Sequence, residues 1–232
     1  MNRRAALLGL SAVAGAASPS ASAGWLGDFV DGYGVTRRFL SGRIPIHSYR
    51  LESASMLPTL ALGDVLLGDL RAAGAPPMRG EMIVFCHSDG RDWMKRVVGL
   101  PGERIAFKNW RMILNGAEVQ TSDAGEDEFT TGEGRQTLSL LREAPPDSLA
   151  YLTVNAGRDE ARLAMFADAP EVVVAPGRVY VLGDNRGQSI DSRAPTMGTI
   201  AIDNILGRIV YRLRPNPAWL APEESIPGLP AE

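Results

Sequence analysis

Residues 93–103 read Trp93-Met94-Lys95-Arg96-Val97-Val98-Gly99-Leu100-Pro101-Gly102-Glu103. This short apolar run, which ends in Gly and Pro, predicts a β-strand followed by a turn. Similar runs occur on both sides of it, so strands are predicted over residues 43–51, 64–70, 81–86, 93–100, 111–114, 178–182 and 205–213. Asn115-Gly116, directly after one of these runs, is a strong hairpin signal. We therefore predict an all-β chain.

The composition agrees with a globular β protein. A chain of 232 residues with 45% hydrophobic content supplies a substantial core. The 16 Pro and 25 Gly interrupt helical ladders, which favours strands and turns over long helices. The formal net charge is −3 and no basic block is present, so we expect no nucleic-acid partner.

Cysteine and histidine are too few for the usual metal sites. The single cysteine, Cys86, cannot form an internal disulfide, and with only His47 and His87 beside it the common zinc spacings cannot be assembled. We therefore predict chemistry without a metal or another cofactor. Cys86 lies in an apolar run, where a buried hydrophobic role is more typical than a catalytic thiol.

Lysine is nearly absent from the chain. Of the 24 Lys and Arg residues, only Lys95 and Lys108 are lysine. Both residue types form solvated ion pairs, but only lysine can lose its proton at an accessible pH, because the guanidinium of arginine stays charged. A lysine kept in an arginine-rich chain is therefore a candidate for proton transfer.

Residues 1–23 have the order of an export signal. Arg3 and Arg4 precede an apolar stretch over residues 5–17, and Ala21-Ser22-Ala23 follows the small-x-small rule for cleavage. The stretch is shorter than the ~20 residues that a membrane-spanning helix needs. We predict either a cleaved export signal, with the paired arginines weakly suggesting twin-arginine export, or a short retained anchor.

Residues 24–42 are predicted to contain an amphipathic helix, because apolar residues recur there at helical spacing. These residues are Trp25, Leu26, Phe29, Val30 and Tyr33. The helix either lies on the membrane surface, with Arg37 and Arg38 near anionic head groups, or packs on the protein body.

Two further segments differ from the predicted strands. Residues 121–170 carry an acidic cluster followed by polar and small residues, and we predict an inserted, smaller β subdomain there. Residues 215–232 are rich in Pro, Ala and Glu and have no strong period, so a loose C-terminal tail is predicted. Residues 43–120 and 171–214 then form the main β core.

Three segments concentrate the side chains that carry chemistry. They are Ser53-Ala54-Ser55-Met56-Leu57-Pro58-Thr59-Leu60, the run at 93–103, and Gly183-Asp184-Asn185-Arg186-Gly187-Gln188-Ser189-Ile190-Asp191-Ser192-Arg193. Each alone has an ordinary explanation: a capping serine, a surface Lys-Arg pair and a turn. Together and in this order, they resemble the bacterial type I signal peptidases, which are membrane-facing serine peptidases with a conserved β core. The resemblance covers roughly residues 43–118 and 176–213.

The resemblance implies a Ser/Lys dyad, with Ser55 as the nucleophile and Lys95 as the general base. A serine hydroxyl needs an adjacent proton acceptor, and a neutral amine can serve as one. Free lysine titrates near about 10.4, so desolvation must lower the pKa of Lys95 considerably. Apolar neighbours such as Trp93 and Val97 can shield the amine from water.

The same resemblance implies supporting roles for other residues. The Ser53 hydroxyl and the backbone N–H of Ser55 form the implied oxyanion hole. Ser189 is implied to orient the lysine. Asp191 and Arg193 match an ion pair that either supports catalysis or is an ordinary structural salt bridge.

Substrate binding is implied to involve Leu51, Met56, Leu60 and Met94. Shallow apolar pockets formed by these side chains would select alanine or glycine at the −1 and −3 positions of the substrate, although Met56 and Met94 could simply fill the core. The substrate is expected to bind extended beside the protein's own strands. Glu52 departs from the family pattern, which often has proline there.

The implied function is that of a serine endopeptidase that removes signal peptides from exported preproteins. The fold implied is a core of antiparallel sheets with an inserted subdomain, and the location is the periplasmic face of the inner membrane. Expected partners are preprotein signal peptides and the membrane surface. The alternatives are a specialised maturation peptidase with few substrates, of pilin or conjugation type, and a non-catalytic β protein that binds peptides.

Overall fold

The computed structural model describes residues 24–131, 134–155, 166–222, 225–226 and 228–230. The predicted export signal or anchor at residues 1–23 lies outside them. The described residues form one α-helix, fifteen β-strands and two short 3₁₀ helices. None of the helices in these ranges combines the length and the apolar character that crossing a membrane requires.

The elements are distributed along the whole described chain. Helix α1 spans Gly24–Ser41, and the 3₁₀ helices span Leu70–Ala72 and Ile202–Asn204. The strands are β1 (Ile46–Arg50), β2 (Val65–Asp69), β3 (Met82–Cys86), β4 (Asp92–Gly99), β5 (Arg104–Lys108), β6 (Arg111–Leu114), β7 (Ala117–Glu118), β8 (Gln120–Thr131), β9 (Gly134–Ala144), β10 (Tyr151–Val154), β11 (Ala169–Val173), β12 (Arg178–Leu182), β13 (Ile200–Ala201), β14 (Ile205–Arg214) and β15 (Ala218–Trp219).

Three antiparallel sheets contain these strands. The largest has eight strands in the order β1-β2-β14-β3-β4-β12-β13, with β15 paired to β14. A second sheet has the order β11-β5-β6-β7, and a third has the order β10-β9-β8. The prediction of a mainly β fold built from antiparallel sheets is confirmed.

Strand β4, which contains most of the run at 93–103, lies inside the large sheet. Its neighbour β3 places Ile83 opposite Lys95, and its other neighbour β12 places Leu182 opposite Arg96. Because successive side chains of a strand point to opposite faces, Lys95 and Arg96 enter different layers of the protein.

The predicted Asn115-Gly116 turn joins β6 to β7. Both residues have positive φ, 52° and 83°, as a two-residue type I′ hairpin turn requires. Strand β5, just before β6, is absent from the sequence prediction. Its Ile105 and Phe107 are buried while its charged end residues are exposed, so the alternation exists but is too short to stand out between turns.

The third sheet lies within the predicted insertion at residues 121–170, of which residues 132–133 and 156–165 lie outside the described part. Leu140 of β9 and Val154 of β10 pack against Leu57. This sheet is therefore in contact with the loop that carries Ser55.

Helix α1 packs on the protein body. Val35 and Phe39 are buried against a cluster that includes Leu67 and Val210. Tyr33, predicted to lie on the apolar face, is 65% exposed. The other residues predicted for that face precede residue 32, and their side chains are outside the description.

The prediction of a loose tail at residues 215–232 is wrong for the described part of this segment. Strand β15 pairs with β14, and the Trp219 ring lies 5.0 Å from the Tyr211 ring. Ile226 is 4% exposed. Widely spaced apolar side chains anchor this irregular segment, and such anchors produce no periodic pattern.

Cys86 is exposed, so the prediction of a buried residue is wrong. The four preceding residues of β3 are buried, and Cys86 is the last residue of the strand. The backbone leaves the core at this point, which exposes the side chain despite the apolar sequence around it.

Candidate active site

Ser55 and Lys95 are in hydrogen-bond contact although they are 40 residues apart in the chain. Lys95 Nζ donates to Ser55 Oγ at 2.9 Å and to the Met94 carbonyl oxygen at 3.0 Å. Ser55 lies in the loop between β1 and β2, and Lys95 lies in β4. Their relative exposures are 6% and 2%. A hydroxyl and an amine are thus paired in a site that is largely shielded from water.

Burial controls the charge of this amine. Desolvation lowers the pKa of Lys95 to about 8, although the carboxylates of Asp191 and Asp184 act in the opposite direction. The ring of Trp93 lies 5.4 Å from Lys95 Nζ. A substantial fraction of the amine is therefore neutral at mildly alkaline pH and can accept a proton.

Ser53 lies beside the dyad. Its Oγ is 3.0 Å from Ser55 Oγ. The Ser55 backbone N–H has no acceptor in the part of the chain that the structure describes. The two donors implied for an oxyanion hole are therefore on the same loop, close to the hydroxyl.

Ser189 lies near the loop that carries Ser55 but is not bonded to Lys95 within the described ranges. Ser189 is fully buried, and its Oγ donates to the Ile190 carbonyl oxygen at 3.4 Å. A Cβ added at Gly183 would lie 2.3 Å from Ser189 Oγ and 2.4 Å from the Ser55 carbonyl oxygen. The absence of a side chain at Gly183 therefore allows the segments of Ser189 and Ser55 to pack together.

Asp191 and Arg193 form the predicted ion pair. Arg193 Nε donates to Asp191 Oδ1 at 2.9 Å and Nη2 donates to Oδ2 at 2.8 Å, with neither side chain exposed. Burial raises the pKa of Asp191, but Arg193 and the Gly183 N–H more than offset this effect and hold the pKa below its usual value. Asp191 is therefore a permanent negative charge that acts on Lys95.

A second buried ion pair lies on the other face of β4 and has no counterpart in the site predicted from sequence. Arg96 donates to Asp184 through Nε at 2.8 Å and Nη2 at 2.7 Å. Thr59 Oγ1 donates to the same carboxylate at 2.5 Å. Because side chains alternate along a strand, Arg96 must point away from Lys95 into another buried layer. This alternation is the sequence signal that could have indicated a buried partner for Arg96.

A third buried ion pair joins the third sheet to the segment that contains Ser189. Arg186 Nη2 donates to Glu143 Oε2 of β9 at 2.7 Å, and the two side chains are 3% and 6% exposed. Arg186 Nε donates to the Gly183 carbonyl oxygen at 3.1 Å. The sequence contains no signal that pairs these two residues, because they come from separate segments.

The four predicted pocket residues share one buried cluster. Leu51, Met56, Leu60 and Met94 pack together with neighbours from β2, β3 and β14. Met56 and Leu60 have no exposed surface, whereas Leu51 and Met94 are 6% and 9% exposed. Met56 and Leu60 therefore fill the core, whereas Leu51 and Met94 keep a small exposed surface. Glu52 is exposed between Leu51 and Ser53.

Comparisons with known proteins give a consistent result. The family model described as "Signal peptidase, peptidase S26" matches residues 35–214. Signal peptidase I of Bacillus caldolyticus is 34% identical over 169 residues, which cover 72% of this chain and 79% of that protein. Signal peptidase IB of Staphylococcus aureus (strain Mu50 / ATCC 700699) is 29% identical over 178 residues, covering 76% and 82%.

A solved structure is also similar to this chain. It is that of a signal peptidase I from Enterococcus faecalis V583, which is 20% identical. The match covers 57% of this chain and 95% of that chain, with a TM-score of 0.33.

Proposed function

The chain belongs to the signal peptidase S26 family and is a serine peptidase of the signal peptidase I type, and from this premise we propose that Ser55 is its nucleophile and Lys95 its general base. The observation that carries the proposal is the 2.9 Å contact between Lys95 Nζ and Ser55 Oγ. The amine in this contact is buried, and its pKa is lowered to about 8. It can therefore be neutral when it meets the hydroxyl.

In the acylation step, neutral Lys95 accepts the proton of Ser55 as Oγ attacks the scissile carbonyl carbon. The carbonyl oxygen becomes an oxyanion held by the Ser53 hydroxyl and the Ser55 N–H. When the peptide bond breaks, protonated Lys95 gives its proton to the leaving amine. Water then attacks the ester on Ser55, with neutral Lys95 again as the base, and restores the free hydroxyl.

Asp191, Arg193 and Ser189 act on the dyad indirectly. The Asp191–Arg193 pair fixes a buried negative charge that keeps the pKa of Lys95 from falling further. Ser189 packs against Gly183, whose Cα approaches the Ser55 carbonyl. These residues hold the geometry of the site and set the proton affinity of the base.

The proposal includes cleavage after small-x-small sequences, with Leu51, Met56, Leu60 and Met94 as the residues that bind the substrate. Leu51 and Met94 are 6% and 9% exposed and pack in one cluster with the fully buried Met56 and Leu60. Because the exposed surface of Leu51 and Met94 is small, we expect small substrate side chains at −1 and −3. We propose that the substrates are signal peptides of exported preproteins, bound extended.

The proposed organisation has a catalytic core at residues 43–120 and 171–214 and an insertion at 121–170. The proposed location is the membrane surface on the periplasmic side. The exposed Glu52, where the family often has proline, supports a second candidate: a maturation peptidase of pilin or conjugation type with few substrates. A carboxylate next to Ser53 would restrict the charge of acceptable substrates.

The test is cleavage of a preprotein with Ala at −1 and −3 by the purified wild type, Lys95→Arg and Lys108→Arg. We expect the wild type and Lys108→Arg to cleave equally and Lys95→Arg to be inactive, because arginine keeps the charge but cannot act as the base. Equal cleavage by Lys95→Arg would exclude the dyad mechanism. Cleavage of a cognate prepilin but not of the general preprotein would favour the second candidate.

A further inference from the structure

The nucleophile loop, which joins β1 to β2 and carries Ser55, is held in place by residues 184–186. Asn185 is fully buried, and its backbone N–H donates to the Ser55 carbonyl oxygen at 3.1 Å. Its side-chain Nδ2 donates to the Ala54 carbonyl oxygen at 3.2 Å. One residue thus bonds to the peptide groups on both sides of Ser55.

The bond to Ala54 constrains a peptide group that matters for the reaction. The Ala54 carbonyl and the Ser55 N–H belong to one planar trans peptide, so they point in opposite directions. A donor that fixes the direction of the carbonyl also fixes the direction of the N–H. The Leu57 N–H reaches the same carbonyl at a longer distance, 3.3 Å.

Asn185 itself is anchored on its other side by β10. The Val154 N–H donates to the Asp184 carbonyl oxygen at 3.0 Å, and the Arg186 N–H donates to the Val154 carbonyl oxygen at 2.7 Å. These two bonds form a short parallel bridge between Val154 and Asn185. The segment is therefore a rigid support between the third sheet and the nucleophile loop.

We infer that Asn185 is a positioning residue for the oxyanion hole: by holding the Ala54 carbonyl, it aims the Ser55 N–H at the oxygen that becomes charged in the reaction. This inference rests on the proposed function, since it presupposes attack by Ser55. The hydrogen bonds of Lys95 go to Ser55 Oγ and to the Met94 carbonyl oxygen, so the proposed effect of Asn185 is on the oxyanion donor and not on the base.

The inference predicts which kinetic constant changes. In Asn185→Ala the Ser55 N–H is free to tilt, so kcat should fall by about 10- to 100-fold, which is less than the about 10²–10³ for complete loss of a donor. KM should change less than about twofold, because the N–H is bound tightly only to the oxyanion. The acid limb of the kcat/KM profile should keep its position, since the contacts of Lys95 are unchanged.

Asn185→Asp provides a second variant of the same shape, in which an acceptor replaces the donor that faces the Ala54 carbonyl. We expect a kcat loss at least as large as in Asn185→Ala. Gln188→Ala is the matched control, because Gln188 Oε1 accepts a hydrogen bond from the Asn185 amide at 3.3 Å, and no contact among the described residues joins the Gln188 side chain to the nucleophile loop. Its kcat should stay within about threefold of wild type.

Binding of an inhibitor that forms a tetrahedral adduct measures the interaction with the oxyanion without any turnover. A signal-peptide aldehyde adds to Ser55: Oγ bonds to the aldehyde carbon, the π bond of the carbonyl opens, the serine proton passes to Lys95, and the former carbonyl oxygen becomes an oxyanion. Asn185→Ala should weaken binding of this aldehyde by the same factor as kcat, while the matching peptide amide, which forms no adduct, should bind as it does to wild type.

The outcomes separate this inference from the proposed function. An increase in KM with unchanged kcat, equal loss of amide and aldehyde binding, a displaced pH limb in Asn185→Ala, or the same kcat loss in Gln188→Ala would overturn the role of Asn185. In each of these cases an active wild type leaves the dyad intact. An inactive wild type, or an active Ser55→Ala variant, would instead overturn both.

Discussion

Lys95 and Arg96 are adjacent basic residues, but only Lys95 can lose its proton at an accessible pH. Their side chains have different surroundings because they lie on opposite faces of β4. On one face of β4, Lys95 is buried beside a hydroxyl, and burial lowers its pKa to about 8. On the other face, Arg96 has a bidentate carboxylate partner in Asp184 and stays charged. The residue type and the partner together decide which cation can transfer a proton.

The pKa of Lys95 predicts the pH dependence of the reaction. Below about pH 8 the amine is protonated and cannot act as a base, so kcat/KM should rise about tenfold per pH unit up to that point and level off above it. The measurement is kcat/KM against pH on a preprotein substrate, with Lys108→Arg as the control. A profile that is flat through pH 8 would contradict Lys95 as the base.

The same burial has a cost in stability. The pKa of Lys95 is about 8 in the folded chain and about 10.5 when exposed, which corresponds to about 3 kcal/mol. The unfolded chain therefore binds the proton more tightly. This penalty is fully present below pH 8, and stability rises as the pH increases from 8 towards 10.5.

Replacing Lys95 with methionine removes the amine but keeps the chain length. We expect Lys95→Met to be inactive and yet more stable at pH 7 by about 1–3 kcal/mol, because no cation has to be buried. Urea unfolding at pH 7 and at pH 10 should show that the advantage shrinks with rising pH. A variant less stable than wild type at both pH values would show that the lysine hydrogen bonds outweigh its desolvation.

At the scale of the elements, local pattern predicted some strands well and others poorly. Strands β4, β6 and β12 follow runs of apolar residues bounded by turn residues, which sequence patterns detect. Strands β8 and β9 alternate weakly, because most β8 side chains are exposed and a bulge between Asp123 and Glu126 breaks the period. Their apolar side chains, Phe129 and Leu140 among them, pack in one cluster with Leu57, which lies far away in the sequence.

Two glycines provide a matched test of backbone conformation. Gly116 has a φ of 83° in the β6–β7 turn and Gly34 lies in helix α1, and an added Cβ would meet no atom within 4 Å at either position. Gly116→Ala should destabilise the chain by about 1 kcal/mol, because L residues disfavour this φ. Gly34→Ala should stabilise it by about 0.5–1 kcal/mol.

The midpoints of urea unfolding at constant m-value measure both changes. If both substitutions changed the stability in the same direction, then steric space or solvation, and not backbone conformation, would determine the change in stability.

At the scale of the whole molecule, the site is assembled from segments that sequence order keeps apart. The motifs pointed to Ser55 and Lys95 separately, and their contact depends on the loop after β1 meeting β4. Met56 and Leu60 match the family's pocket positions but are fully buried, which no motif could reveal. The Glu143–Arg186 pair could not be predicted, because nothing in the sequence of β9 indicates that Glu143 pairs with Arg186.

That pair predicts a dependence of the core on the third sheet. Glu143→Ala would leave Arg186 buried without its carboxylate, so we expect a loss of about 3–5 kcal/mol in unfolding free energy and a parallel loss of activity. Glu128→Ala is the control: Glu128 lies 3.5 Å from Arg135 in the same sheet, but both side chains are more than half exposed.

The control should change stability by less than about 1 kcal/mol. Thermal unfolding and cleavage rate are measured on both variants. Equal, small effects would show that the third sheet is not coupled to the site through this ion pair.

The scarcity of lysine makes the protonation of Lys95, the proposed base, directly observable. Lys108 is exposed at the end of β5 and Lys95 is buried in β4, so protein labelled with ¹³C only at the lysine ε-carbons would give two side-chain NMR resonances. The resonance of Lys95 should titrate near about 8, because burial lowers the pKa of this amine. Loss of one resonance in Lys108→Arg assigns both, so the protonation of the base can be followed in the resting protein without any substrate.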